Sequence, residues 1–356
     1  MASIVFAGGG TLGHIYPALS FIQQVKQTYS HIQIIFFATQ KEKDLDILKH
    51  HECIDEIYYF HVYGMPKNVM KLPKNCLVNY RCYQQMKKLI RQKSVLLSIG
   101  MGGYVSGISI LASQACHIPT LVHEQNSIVG FANRLVLRKV DKIFTTFPNT
   151  NIPSKYTNKV VCIGNPRYDV ALEAPESCYQ AKSNILITSG SLGSACINQE
   201  AIAFLNDEIS HMYTTTLITG KKYYQQVKEQ LKPGYHYQVL PYTSQMLTLL
   251  KQAGIVISRA GSTTLFEILG TKSVSIVVPS PHVTKNHQYF NAKNFSEQQL
   301  IFLVDEQKLT QKGLLAWIIE LEQQYDTIKH NLNHYSPPLV VQTFMKHIEV
   351  YLKKEE

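Results

Sequence analysis

Residues 4–27 pass from a short apolar run (Ile4, Val5, Phe6) through Gly8-Gly9-Gly10-Thr11-Leu12-Gly13 into a segment with Leu19, Ile22 and Val25 on one face. Strand, tight glycine turn and a helix beginning near Pro17 make one βα unit. The succession recurs. Apolar runs at 33–38, 94–99, 120–123, 142–146 and 160–163 alternate with helical segments at 108–115 and 130–138. Gly164-Asn165-Pro166 closes this series, and it restarts with runs at 185–188, 216–219, 237–240, 255–258, 274–278 and 301–304. Right-handed βα crossovers repeated in this way admit few topologies, foremost the doubly wound parallel sheet. One hydrophobic core stops growing near ~250–300 residues, so 356 residues predict two such α/β domains. Their expected bounds are 1–164 and 165–336, followed by a C-terminal segment, 337–356, in which Pro337-Pro338 precedes a last amphipathic helix at 339–353.

The first loop satisfies GxGxxG, but the second strand ends in Ala38-Thr39-Gln40, without the acid that a dinucleotide ribose needs. No Lys-Ser/Thr follows the glycines either, so the loop is not a P-loop, and NAD or ATP use is disfavoured. His14 stands where turn becomes helix, placed to act on whatever the loop holds. A second constellation, Ser258-Arg259-Ala260-Gly261-Ser262-Thr263-Thr264, leads from a strand into a helix start suited to a pyrophosphate. Glu267, one turn on, can hold two ribose hydroxyls; equally, Thr264-x-x-Glu267 is a capping box that needs no ligand. Ser191 and Gly193 offer a comparable helix start. Glu124-Gln125-Asn126 and His287-Gln288-x-x-Asn291 fall at carboxyl ends of strands, where open α/β sheets bind ligands, although solvent-exposed amides account better for the second taken alone.

The net charge of +10 lies wholly in the first half: residues 1–164 carry 18 Lys/Arg against 8 Asp/Glu, and residues 165–356 carry 17 of each. Between Glu56 and Glu124 no acid occurs, while Lys67, Lys71, Lys74, Arg81, Lys87, Lys88, Arg91 and Lys93 are interleaved with apolar residues. A solvated basic face, a nucleic-acid surface and an anionic-lipid patch compete. The apolar interleaving and the absence of a nucleic-acid-binding motif favour lipid. No apolar run reaches the ~18 residues of a membrane span, and the N-terminal residues already form a strand, so a cytoplasmic protein is expected. Seven scattered cysteines without a CxxC fit reduced thiols rather than a disulfide or zinc framework.

Seven motifs in order, GGGTLGHIYPAL, GMGGYVSG, HEQNSIVGFANR, GNPR, SGSLGS, SRAGSTTLFEI and HQYFNA, resemble the MurG family across about residues 4–305. These are the bacterial UDP-N-acetylglucosamine transferases that complete the lipid-linked peptidoglycan precursor. The resemblance implies a GT-B fold of two facing Rossmann-like domains with a cleft between them, acceptor on the first and nucleotide sugar on the second. It also implies that the final helix returns to the first domain. GlcNAc is expected to move, with inversion, from UDP-GlcNAc to the 4-hydroxyl of the muramyl sugar of undecaprenyl-pyrophosphoryl-MurNAc-pentapeptide (lipid I), giving lipid II. His14 is the expected base and Glu124 the substitute. Ser191, Ser262, Thr263 and Thr264 are expected to receive phosphate charge, Arg167 to add a cation and Glu267 to hold the ribose. Asn126 and Gln288 are expected to read sugar hydroxyls, Tyr242-Thr243 to contact uracil, and Thr11, Leu12 and Gly13 to lie near sugar and phosphates. No cofactor is expected to bind tightly, and any Mg²⁺ is expected to be held loosely through substrate phosphates. Attachment to the cytoplasmic face of the cell membrane, peripheral and through residues 62–93, would give the basic half its purpose.

Four departures stand out. Leu12 replaces a glycine of the family's GTGGH loop, GNPR is one residue shorter than GNPVR, His287 replaces the first of two glutamines, and Ile108 replaces a proline. Rival readings are another GT-B lipid glycosyltransferase acting on diacylglycerol, a UDP-GlcNAc epimerase of the same layout, and a non-catalytic GT-B binding subunit. GMGGYVSG with HEQN opposes the first, the basic-apolar face the second, and retention of His14, Asn126, Glu267 and Gln288 the third.

Overall fold

A computed structural model describes residues 1–40, 48, 49, 51–66, 68–175, 181–190, 193–234 and 236–353. Ser191, Lys67 and Cys178 lie outside them. The chain divides into two compact units: Met1–Pro166 with Pro338–Glu356, and Arg167–Pro337.

In chain order the first unit contains β1 (Ala2–Gly8), α1 (Leu12–Thr28), β2 (Gln33–Thr39), β3 (Glu56–Phe60), α2 (Leu72–Gln92), β4 (Ser94–Gly102), α3 (Gly103–Gln114), β5 (Thr120–Glu124), α4 (Phe131–Val136), β6 (Lys142–Thr145) and β7 (Val160–Cys162). Its parallel sheet has the order β3-β2-β1-β4-β5-β6-β7. Because both faces are covered, its strands read as nearly continuous apolar runs. Ile4, Phe6, Ile34, Phe36, Leu97 and Ile99 point to one core, which α1 completes with Ile15, Ile22 and Val25. Val5, Ala7, Ile35 and Phe37 point the other way, against Met86 and Ile90 of α2 and Val105 and Ala112 of α3. Only Cys82, Met86 and Ile90 of α2 are buried, so most of its length faces outward.

The second unit runs through α5 (Arg167–Leu172), β8 (Asn184–Thr188), α6 (Ala195–Leu205), β9 (Thr214–Ile218), α7 (Tyr224–Gln230), β10 (Tyr237–Leu240), α8 (Met246–Gln252), β11 (Ile255–Ser258), α9 (Ser262–Thr271), β12 (Val274–Val277), α10 (His287–Ser296), β13 (Phe302–Leu303), α11 (Glu306–Lys312) and α12 (Leu314–His334). Its parallel sheet has the order β10-β9-β8-β11-β12-β13. The last helix, α13 (Val340–Leu352), returns to the first unit, where Val340, Phe344 and Ile348 share the core of α1 and Phe344 stacks on Phe21 at 4.0 Å. Each sheet reverses its winding once, between β1 and β4 and between β8 and β11. Ligands of open α/β sheets sit beyond the carboxyl ends of such strands.

Two expectations about local structure are corrected. The first helix starts at Leu12, with Pro17 inside it. The positive φ of the loop (88°) belongs to Gly10, so Leu12 enters the helix as an ordinary first-turn residue and carries no strain. Strand β3 and helix α2 went unread, because residues 56–93 carry charge and apolar residues in a mixed pattern that masks both periods.

Candidate active site

At the reversal in the first unit, Gly8 at the end of β1 is in register with Gly102 at the end of β4. The two following loops touch. A Cβ on Gly103 would stand 2.4 Å from the carbonyl oxygen of Gly9, and one on Gly102 would stand 2.6 Å from His14 Cδ2 and 2.8 Å from Nε2. With φ of +111° and +82°, Gly102 and Gly103 have backbones that side-chain-bearing residues rarely adopt. Glycine here makes room for an imidazole. His14 Nδ1 lies 2.9 Å from Gly9 O and 3.3 Å from Thr11 Oγ1. A carbonyl only accepts, so Nδ1 carries the hydrogen and the lone pair of the neutral ring is on Nε2.

His123, on β5, stands behind His14. It is 1% exposed, its Nε2 lies 3.0 Å from Gly164 O, and its buried Nδ1 has no hydrogen-bond partner. Burial pushes its pKa down to about 4; the Gly164 carbonyl opposes that shift and His14 adds to it. His123 is therefore a neutral ring at physiological pH.

Glu124, the substitute candidate for the base, is enclosed by hydrogen-bond donors. Its carboxylate is buried and accepts from Asn126 N at 3.0 Å, Gly130 N at 2.9 Å and Asn133 Nδ2 at 2.9 Å. Burial raises its pKa, and those donors pull it back. The geometry makes it the anchor of the 124–130 loop, which holds Asn126. Gln125 ties the same loop to β4 through Met101 O at 3.1 Å.

At the reversal in the second unit, α9 begins at Ser262 with Gly261 as its N-cap, and no side chain caps it. Thr264 thus lies inside the first turn, and the capping-box reading of Thr264 and Glu267 is excluded. The Oγ1 of Thr263 is buried without a partner. Uncapped amides at a helix start favour an anion. The loop after β8 differs: α6 starts at Ala195 and is capped by its own Ser194, which accepts from Ile197 N at 3.4 Å. It is the less open of the two helix starts.

Arg167 places Nε 2.9 Å and Nη2 2.8 Å from the same oxygen, Oε1, of Glu267. The guanidinium thus pairs with the Glu267 carboxylate and fixes its direction. Burial raises the Glu267 pKa, and the Arg167 charge lowers it. Gln288, at the start of α10, accepts from Ser280 N at 2.9 Å through Oε1, so its amide nitrogen is turned away from that backbone. Asn291 is fully buried in α10 rather than displayed at the strand end. Tyr242 is exposed beyond β10, and Thr243 Oγ1 accepts from Gln245 N at 3.0 Å.

Two models of glycosyltransferase family 28 match the chain, that of its N-terminal domain over residues 4–145 and that of its C-terminal domain over residues 184–353. The UDP-N-acetylglucosamine–N-acetylmuramyl-(pentapeptide) pyrophosphoryl-undecaprenol N-acetylglucosamine transferase of Bacillus licheniformis is 34% identical over 347 residues, covering 92% of this chain and 91% of that protein. The protein of the same name from Halalkalibacterium halodurans is 33% identical, covering 89% and 90%. The chain belongs to the MurG family. It is a glycosyltransferase. In fold, it is similar to the crystal structure of Acinetobacter baumannii MurG, with a TM-score of 0.73 at 24% identity over 98% of this chain and 99% of that one. A putative UDP-N-acetylglucosamine 2-epimerase from Listeria monocytogenes shares the GT-B fold at 12% identity, TM-score 0.71, over 99% of this chain and 97% of that one.

Within this MurG-family chain, sequence reasoning missed a network around Arg259. Its guanidinium pairs with Glu306 and donates to Ser194 Oγ, to Val278 O at 3.1 Å and to Pro279 O at 3.3 Å. One side chain thus fastens the loops that follow β8 and β12. The available signal was an arginine directly after a buried strand, in a position that apolar periodicity leaves unexplained. His123 was legible in the same way, as the one titratable base in an otherwise apolar run.

Proposed function

We propose that this chain transfers GlcNAc from UDP-GlcNAc to the 4-hydroxyl of the muramyl sugar of lipid I, giving lipid II for peptidoglycan synthesis. The observation that carries the reading is full-length similarity to transferases of that name, in a chain whose two sheet reversals hold complementary chemistry. One holds an oriented imidazole, the other an uncapped helix start beside a fixed carboxylate.

The reaction is a single displacement. The acceptor oxygen forms its bond to the anomeric carbon as the bond from that carbon to the UDP oxygen breaks, and the centre inverts. The hydroxyl proton passes to Nε2 of His14, whose Nδ1–H is held by Gly9 O. Negative charge grows on the departing diphosphate and is met by the amides of Ser262, Thr263 and Thr264 at the start of α9. Ser191 adds a hydroxyl. Glu267, turned by Arg167, accepts from the ribose hydroxyls through Oε2. Gln288 donates to the transferred sugar, while Thr11, Leu12, Gly13 and Asn126 border the acceptor. Tyr242-Thr243 meets the uracil. Magnesium, where present, enters with the substrate phosphates.

Among the described residues no helix is long and apolar enough to cross a membrane. The acceptor is nevertheless a membrane lipid, and α2 turns Lys74, Leu77, Tyr80, Arg81 and Lys88 outward. Peripheral attachment to the cytoplasmic membrane face through residues 62–93 accounts for that surface. The test of the reaction is incubation of the chain with radiolabelled UDP-GlcNAc and a lipid-linked muramyl-pentapeptide acceptor, followed by extraction of the lipid. Label is expected in a lipid bearing both sugars, and an unlabelled extract overturns the reading.

A further inference from the structure

The chain passes between its two units twice, at Pro166–Arg167 and at Pro337–Pro338. Within the second unit both crossing segments are fastened to one element, α9. Arg167 pairs with Glu267 in the middle of that helix. Gly270 follows, where a Cβ would stand 2.6 Å from Tyr168 O and 2.7 Å from Ala171 Cβ, so α5 packs against α9 backbone to backbone. At the end of α9, Lys272 donates through Nζ to the carbonyl oxygen of Tyr335, two residues before Pro337. Tyr168 donates its hydroxyl to the same oxygen at 3.3 Å, and the two tyrosine rings meet edge to face at 5.9 Å.

Lysine is unfavourable at this position on two counts. Lys272 ends α9 in the left-handed region, at φ 55° and ψ 35°, where helices ordinarily place glycine. Its ammonium is also half-buried, and among the described residues no carboxylate pairs with it, so burial lowers its pKa. What the side chain gains is a carbonyl and two rings. Nζ lies 5.7 Å from the centroid of Tyr168 and 5.8 Å from that of Tyr335. One cation thus holds a residue from each crossing segment. Lys329 donates to the carbonyl of Lys272 at 2.7 Å and fixes the helix end itself.

We propose that Lys272 is a positioning residue for the transfer, coupling occupancy of the donor site on α9 to the two segments that join the units. The inference rests on the donor assignment of the proposed function. A diphosphate at Ser262 loads one end of a helix whose other end, about 15 Å away, holds Tyr335. A ribose on Glu267 draws on the carboxylate that grips Arg167, the first residue of the second unit. The base His14 belongs to the first unit and α9 to the second, so a reaction that uses both depends on these two connections.

Hydrogen–deuterium exchange of the full chain, with and without UDP-GlcNAc, tests the coupling. In the wild type the donor is expected to slow exchange about threefold or more both at residues 262–267 and at residues 333–336. Lys272→Gly relieves the left-handed backbone, so it should fold with a melting temperature near that of the wild type. In this variant the donor should still slow residues 262–267 but leave residues 333–336 unchanged. Its kcat is expected to fall about fivefold, with a donor KM within about twofold of wild type. Lys272→Arg keeps a cation and its donors, and should restore the donor effect at residues 333–336. No slowing at residues 333–336 in the wild type, or equal slowing there in Lys272→Gly, overturns the coupling. No slowing at residues 262–267 in the wild type overturns the donor assignment instead.

Discussion

His14 is held at three points: by the Gly9 carbonyl, by Thr11 and by the bare backbone of Gly102. Replacement by Ala removes the proposed proton acceptor but leaves α9 and Glu267 untouched. Turnover is expected to fall by roughly 10²–10⁴-fold, with the KM for UDP-GlcNAc within about twofold of wild type. Near-normal turnover would remove His14 as the base. Its neighbour His123 makes a different prediction. In the unfolded chain a histidine takes up its proton near pH 6.5; in the folded chain His123 does so only at about 4. The unfolded state therefore binds more protons between those values, and stability drains away as pH falls through that window, by about 3 kcal/mol at most. Denaturant unfolding of the wild type and of His123→Gln at pH 7 and pH 5 measures this. The variant should lose less stability on acidification, and equal losses would assign the acid limb to other groups.

Among the elements, α9 starts at Gly261 without a side-chain cap. Gly261 has φ −67° and ψ 137°, an extended conformation that any residue adopts, and a Cβ there meets only Thr264 Oγ1 at 3.8 Å. Serine would fit and would cap the helix, contributing about 0.3–0.5 kcal/mol over glycine. The incoming diphosphate would then have to displace that cap. Gly261→Ser is expected to hold or raise the melting temperature while raising the donor KM about twofold. An unchanged donor KM would place the diphosphate elsewhere. The glycine loops, the strand ends and His14 were legible in the sequence, because short βα units write their turn chemistry into adjacent residues. What could not be read was which partner each polar group takes. Arg167 meets Glu267 across 100 residues of chain, and Ser194 meets Arg259 across 65. The three donors to Glu124 come from a loop whose closure only the fold reveals.

Across the whole molecule, the positive excess belongs to one half of the chain, whereas the half assigned to the anionic donor carries balanced charge. In the proposed function the donor is met by oriented backbone amides and the lipid surface by side-chain cations. Co-sedimentation with anionic vesicles should weaken in the double variant Lys71→Glu, Lys74→Glu and, in the wild type, with rising salt, while turnover of a soluble short-chain acceptor persists. Undiminished binding would move the membrane contact off this face. The return of α13 has its own consequence, one of timing. Phe344 and Ile348 fill the core beside Phe21 and Ile22, yet they are made more than 300 residues later. As the chain leaves the ribosome, the first unit must wait, its α1 face uncovered, through synthesis of the entire second unit. The second unit, contiguous from Arg167 to Pro337, has all its parts first. The half made first is the half that can be finished only last, and until then it offers chaperones an apolar face.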